Sequence, residues 1–128
     1  MIVADTDVLI DFLEGRQPGA QAVAAAMATG RLQTTAISCF ELLSGARQAR
    51  QRRAVHTLLD SIPTLGLDRN AAQRGAEIRL ELDRLGITIG MADSLIAGIV
   101  LFHGASLLTR NRQHFERVPL LSLVDLTA

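Results

Sequence analysis

The chain has 128 residues, 48% hydrophobic and 20% charged, with a formal net charge of zero; this length suits one domain over residues 1–128, with a core that needs no covalent staples. One cysteine excludes a disulfide framework and a thiolate zinc centre, and points to the reducing cytoplasm. No apolar run approaches the ~18 to 20 residues of a membrane helix, the N-terminus lacks the basic stretch of a signal peptide, and zero net charge argues against a general nucleic-acid condenser.

Ile2 to Ala4 is short, apolar and closed by Asp5, the mark of a buried strand. Asp5 or Thr6 can cap a helix over residues 7–14, with Val8, Leu9, Phe12 and Leu13 on one face and Gly15 as its stop. Pro18 opens a second helix through Ala28, closed by Gly30. Leu32 to Ala36 alternates around paired threonines and is the second expected strand. A helix opens at Ser38 and runs to Gly45, and another covers residues 48–61, ahead of Pro63. Thr64 to Leu67 is the third strand. Asp68 caps a long amphipathic helix through Leu85, with Ala72, Ala76, Leu80 and Leu82 inward and Gly86 as its stop. Met91 to Phe102 is apolar almost all round, hence a buried helix. Ala105 to Thr109 is a fourth strand and Leu120 to Leu123 a fifth. Met27, Met91 and the phenylalanines are expected in the core, Cys39 as a small buried hydrophobe, and His56 and His103 as structural residues. Strands alternating with helices predict an α/β fold around a mostly parallel central sheet. Ligands of such sheets lie at the carboxyl ends of the strands, which puts Asp5 and Thr109 on one rim.

Four acids fall at strand ends or helix starts: Asp5, Asp7, Glu41 and Asp93. Their spacing is too wide for a loop-type calcium site, so only the fold can gather them. Gathered carboxylates repel one another. Either one keeps its proton or a divalent cation binds between them; a hard ion such as Mg²⁺ takes one or two carboxylates and keeps several waters. Each acid also has a purely structural use. Ser38-x-x-Glu41 has the form of a capping box, Asp93 can offset a helix dipole, and Asp5 and Asp7 can be helix-start acids. The two uses are compatible, because helix N-termini converging on one crevice deliver their acids there.

The segments IVADTDVLIDFLEG, AISCFELLSGA, GMADSLIAGIVLFHG and LLTRNRQHFERVPLL, in this order and covering nearly the whole chain, resemble the PIN domain, with the closest likeness to VapC-type toxins of bacterial toxin–antitoxin pairs. The resemblance implies a three-layer α/β/α fold with four to five strands and a Mg²⁺- or Mn²⁺-dependent endoribonuclease. Asp5, Glu41 and Asp93 match the family's catalytic, metal-holding acids. Asp7 matches a supporting position, and Thr6 and Thr109 are expected to orient the carboxylates. Asn111 is an accepted variant in the family's fourth motif, whereas His114 stands where an acid is common. That departure implies one firm metal site, with a second filled when substrate phosphate adds its charge. Water attack would leave 5′-phosphate and 3′-hydroxyl ends; attack by the ribose 2′-hydroxyl would need a base such as His114. The resemblance also implies a structured RNA substrate such as a tRNA or rRNA, a small cognate antitoxin and a homodimer, for which Leu42, Leu43, Leu58 and Leu59 offer apolar helix faces. The alternative is a catalytically weak PIN module that binds RNA or a partner protein without cutting.

All thirteen Lys/Arg positions are arginine, so a mechanism that needs a lysine is excluded. The opening Asp5-Thr6-Asp7 also resembles the start of haloacid-dehalogenase-type phosphatases, but those require a Gly-Thr after the second acid and usually a lysine, and both are missing. Four Phe without Trp or Tyr cannot build a base-stacking platform. Arg47, Arg50, Arg52 and Arg53 cluster, and Arg110, Arg112 and Arg117 follow later. They are either a solvated face or a phosphate-contacting rim for RNA. Within that rim Arg110 and Arg112 are favoured because they flank Asn111, with Arg47 and Arg50 next.

Overall fold

A computed structural model describes residues 1–126 of the chain. The elements follow in the order β1 (Ile2–Ala4), α1 (Thr6–Glu14), α2 (Gly19–Ala28), β2 (Leu32–Thr35), α3 (Ala36–Gly45), α4 (Ala49–Asp60), β3 (Thr64–Leu65), α5 (Arg69–Arg84), α6 (Met91–Phe102), β4 (Ser106–Leu108), α7 (Arg112–Phe115) and β5 (Ser122–Leu123). The strands form one sheet in the order β3-β2-β1-β4-β5, and every pairing is parallel. Helices cover both faces, as a parallel sheet requires. Val3 and Leu107 point into a core with Ile78, Leu82, Ile96 and Val100 of α5 and α6. Their neighbours Ala4 and Leu108 point the other way, toward Val8 and Leu9 of α1, Val23 of α2, Leu42 of α3 and Val55 of α4. The alternation of strand side chains thus produces the three layers.

After β1 the chain builds outward through β2 and β3, then returns to lay β4 on the other side of β1 and continues to β5. The strand order reverses between β1 and β4, where the crevice of an open parallel sheet lies. In that pair Ala4 stands opposite Leu108. The next residues of the two strands, Asp5 and Thr109, therefore share the crevice floor.

Several local expectations are corrected. Helix α3 begins at Ala36, capped by Thr35, whose side chain accepts from the Ser38 N–H. Ser38 is therefore inside the first turn and no capping box joins it to Glu41; the helix starts early because Thr35 is the better-placed cap. In α5 the inward set is Ala71, Gly75, Ile78 and Leu82, while Leu80 is 57% exposed. The face is turned because Gly75 meets α6: a Cβ on Gly98 would come within 2.6 Å of the Gly75 nitrogen and the Ala71 carbonyl. Phe40 and Met91 are 70% and 66% exposed, Phe102 is exposed as well, and Phe115 fills the core instead. Cys39 is half-buried, with its Sγ 3.5 Å from the Thr64 hydroxyl. Leu42 and Leu58 are buried, and Leu43 and Leu59 are half-buried against the same core. The short helix α7 has no counterpart among the expected elements.

The close approach of α5 and α6 anchors the helix that bears Asp93. Gly98→Ala should force the two helices apart and cost about 1–3 kcal/mol, read as a lower urea midpoint at unchanged slope; an unchanged midpoint would show that the contact has slack.

Candidate active site

Asp5 is the N-cap of α1 and only 6% exposed. Its backbone N–H donates to the Leu108 carbonyl (2.9 Å), continuing the β1–β4 ladder. Its Oδ1 accepts from the Thr6 N–H at 2.8 Å. Its Oδ2 accepts from the Thr109 hydroxyl at 2.7 Å. Thr109 is itself fully buried, and its Oγ1 accepts from the Asn111 N–H at 3.0 Å. One hydroxyl therefore ties the end of β1, the end of β4 and the loop leading to α7.

Asp7, in the first turn of α1, receives the Arg110 N–H on Oδ2 at 3.1 Å and lies 3.4–3.5 Å from the Thr109 hydroxyl. Glu41 is mid-helix in α3, and its Oε1 accepts from the Thr6 hydroxyl at 2.6 Å. Thr6 Oγ1 is also 2.9 Å from the hydroxyl of buried Ser38. One Thr6 proton cannot serve both contacts, so the short carboxylate bond takes it and Ser38 supplies its own proton to Thr6. Asp93 lies in the first turn of α6, with Oδ2 3.7 Å from Nδ1 of His114.

Like charges and burial stress this group. Asp5 is raised from 3.8 to about 7, first by loss of water, then by the charge of Asp7 and, least, that of Asp93; the bonds from Thr109 and Thr6 pull the other way. Asp7 is raised as well, again first by burial, and the nearby Arg110 opposes that shift. Asp5, Asp7 and Asp93 thus share one field, with Glu41 joined to it through Thr6. They do not form a closed cage: among the described residues, no three His, Cys, Asp or Glu side chains are gathered tightly enough to enclose an ion. The donors are nevertheless hard oxygens, and the charge excess at Asp5 is what a divalent cation relieves. A magnesium-type ion needs only one or two carboxylates and keeps its waters, so the set fits it.

Arg110 and Arg112 of the expected rim have partners within the chain. Arg110 turns its Nε onto Asp11 Oδ2 at 2.6 Å. Arg112 donates to the Val124 carbonyl at 2.8 Å, bracing the segment after β5. Arg47 and Arg50 are exposed. Arg50 and Glu41 line a cleft of ≈ 330 Å³ between α1, α3 and α4, walled by Ile10, Leu13, Leu42 and Val55. Two contributors escaped the sequence analysis. Ser38 was hidden by its resemblance to a cap. Asp11 carries a visible signal: it lies one helical turn from Asp7, an acid on the face that α1 buries.

The PIN domain family model matches residues 2–121. The chain is 32% identical over 101 residues to the "tRNA(fMet)-specific endonuclease VapC" of Salmonella typhimurium, covering 76% of each. It is 25% identical over 120 residues to the "Ribonuclease VapC1" of Methanocaldococcus jannaschii, covering 91% of this chain and 80% of that one. Among solved structures, DNA-bound VapBC from Salmonella typhimurium superposes with a TM-score of 0.85 at 25% identity, over 98% of this chain and 97% of that one. VapBC2 from Rickettsia felis gives 0.87 at 22% identity over 97% and 98%, a likeness of fold. The chain belongs to the PIN-domain family, among its VapC-type toxin ribonucleases.

The raised Asp5 sets a pH dependence. Unfolded, the group titrates near 3.8; folded, near 7. The folded state therefore binds the proton more tightly. The stability this confers is complete below the lower value, falls as pH rises between the two, and is gone above the higher. Asp5→Asn removes that loss. In metal-free buffer its melting temperature should overtake the parent's by an amount that grows from pH 4.5 to pH 7.5 and reaches the order of 5 °C. A difference that stays constant with pH would refute the raised carboxyl.

Proposed function

We propose that the chain is a Mg²⁺- or Mn²⁺-dependent endoribonuclease, the cytoplasmic toxin of a toxin–antitoxin pair, which hydrolyses a phosphodiester bond in a structured RNA such as a tRNA or rRNA. The observation that supports it above all is the buried Asp5 carboxyl at the sheet's switch point, charge-stressed by Asp7 and Asp93. Asp5, Glu41 and Asp93 are the proposed metal ligands, directly or through water, with Asp7 in support. A divalent ion bound there supplies Lewis-acid polarisation of the phosphate and water of lowered pKa. The chain's own residues do the positioning. Thr109 fixes one oxygen of Asp5 and Thr6 one oxygen of Glu41, so neither carboxylate must be ordered when substrate arrives. His114 lies beside Asp93, and the Asn111 backbone N–H is bonded to the Thr109 hydroxyl, which supports a role for the segment after β4. Arg47 and Arg50 are the proposed phosphate contacts, since Arg110 and Arg112 already have partners within the chain. The apolar cleft ending at Glu41 and Arg50 suits a segment of the antitoxin. The likeness to the DNA-bound VapBC of Salmonella typhimurium and to a toxin-antitoxin complex from Klebsiella pneumoniae supports such a partner. The homodimer and the single-domain organisation are carried by the family resemblance.

The name of the Salmonella relative makes initiator tRNA the first substrate to try. With Mg²⁺, purified protein should cut it at one position and leave 5′-phosphate and 3′-hydroxyl ends. EDTA, Asp5→Asn or Asp93→Asn should each lower the rate by about three orders of magnitude, the several kcal/mol of charge stabilisation that a metal supplies, with circular dichroism unchanged. Full activity in EDTA would defeat the metal mechanism, and a cyclic phosphate end would move the chemistry to His114. RNA binding without cleavage of any structured RNA would favour the non-cutting module.

A further inference from the structure

Arg110 stands at the mouth of the carboxylate cluster. It follows Thr109 directly, and its own N–H is bonded to Asp7 Oδ2. Its guanidinium nevertheless makes its ion pair with Asp11 and not with Asp5, Asp7 or Asp93, although its charge still reaches Asp7. Asp7 and Asp11 are one turn apart on α1, so they are alternative seats for the same cation. Asp11 is built to win. Its carboxylate is almost fully buried. It is pressed against Gly19 so closely that a Cβ there would overlap it. It also sits at the start of α2, a ten-residue helix whose N-terminal dipole favours negative charge. An immobile acceptor with a short charge-assisted bond holds a guanidinium well.

A guanidinium inside a group of carboxylates neutralises them much as a divalent cation does, so the two compete. We propose that Asp11 is a positioning residue that keeps the Arg110 guanidinium out of the Asp5, Asp7 and Asp93 cluster and thereby keeps that cluster open to a divalent cation. The inference rests on the metal-dependent reading above and deepens it. It also accounts for an acid on the buried face of α1 and for glycine at position 19.

The test is Mn²⁺ binding to the purified protein, read by calorimetry and by the free-ion electron paramagnetic resonance signal, independent of RNA cleavage. Asp11→Asn should weaken binding roughly tenfold, a typical coupling between neighbouring charged groups. Arg110→Met should bind at least as tightly as the parent. The double variant should match Arg110→Met within about twofold, because without the guanidinium nothing needs to be held away. Gly19→Ala, which displaces the Asp11 side chain and leaves both charges in place, should weaken binding as Asp11→Asn does and be rescued by Arg110→Met. It serves in place of Asp11→Asn if that variant does not fold. Unchanged binding in Asp11→Asn, or in Gly19→Ala if that serves, would overturn the proposal. So would a double variant that binds as poorly as the Asp11 single variant, which would make Asp11 merely structural. Tight parental binding beside either result leaves the metal-dependent reading intact; no Mn²⁺ binding by the parent defeats both.

Discussion

The site depends on one buried hydrogen bond, from the Thr109 hydroxyl to Asp5. It exists because β1 and β4 pair in parallel with Ala4 opposite Leu108, so that both strands end at the same level. A parallel ladder has no hairpin to fix its register, so the register comes from side chains. Val3 and Leu107 enter one core, and Ala4 and Leu108 the other. A slip of one residue would exchange the faces of a strand and separate the acid from its hydroxyl. The geometry at the strand ends is therefore specified by apolar residues of the two cores.

Burial of Asp5 carries a cost that the fold meets only in part. Two hydrogen bonds to its oxygens favour the charged form, yet dehydration and the neighbouring acids prevail, and its titration moves toward neutrality. Asp7 shows the same contest, with the Arg110 charge on the opposing side. Groups shifted by burial beside like charges are enriched at functional sites. The surrounding hydroxyls are uncharged and short. Thr6, Ser38 and Thr109 can fix the direction of a carboxylate without cancelling the negative field that a cation would feel.

Much of this was legible from residue order. Asp5 closes an apolar run of strand length and Thr109 follows another, so the rule for parallel sheets puts them on one rim before any coordinates are known. Asp93 was visible as a helix-start acid, and Glu41 was expected at a helix start but lies mid-helix in α3. What stayed hidden depended on rotation about helix axes and on side-chain reach. The inward face of α5 is set by the contact between Gly75 and Gly98, a feature of two distant segments. Thr35 displaces Ser38 as the cap of α3 because β2 stops one residue sooner than its alternation suggested. Phe40 and Met91 are exposed although their residue types favour burial, since hydrophobicity alone does not say which side of a helix faces out. The partners that Arg110 and Arg112 take within the chain were hidden as well. A long side chain chooses among several acceptors, and only the fold shows which one is nearest.

That choice matters in a chain whose only strong cations are arginines. A guanidinium keeps its charge across the accessible pH range and binds carboxylates in fixed geometry, so any arginine near Asp5 and Asp7 is a standing competitor for the place a metal would take. The backbone cannot move Arg110 away, because its N–H is part of the network that orders Asp7. Only the side chain can be diverted, and Asp11 diverts it. The same α1 helix thus carries acid for two opposed uses one turn apart: Asp7 facing the crevice and Asp11 facing α2. Negative charge on the inner face of α1 is arranged so that the cation supplied by the chain is held beside the acidic crevice without filling it.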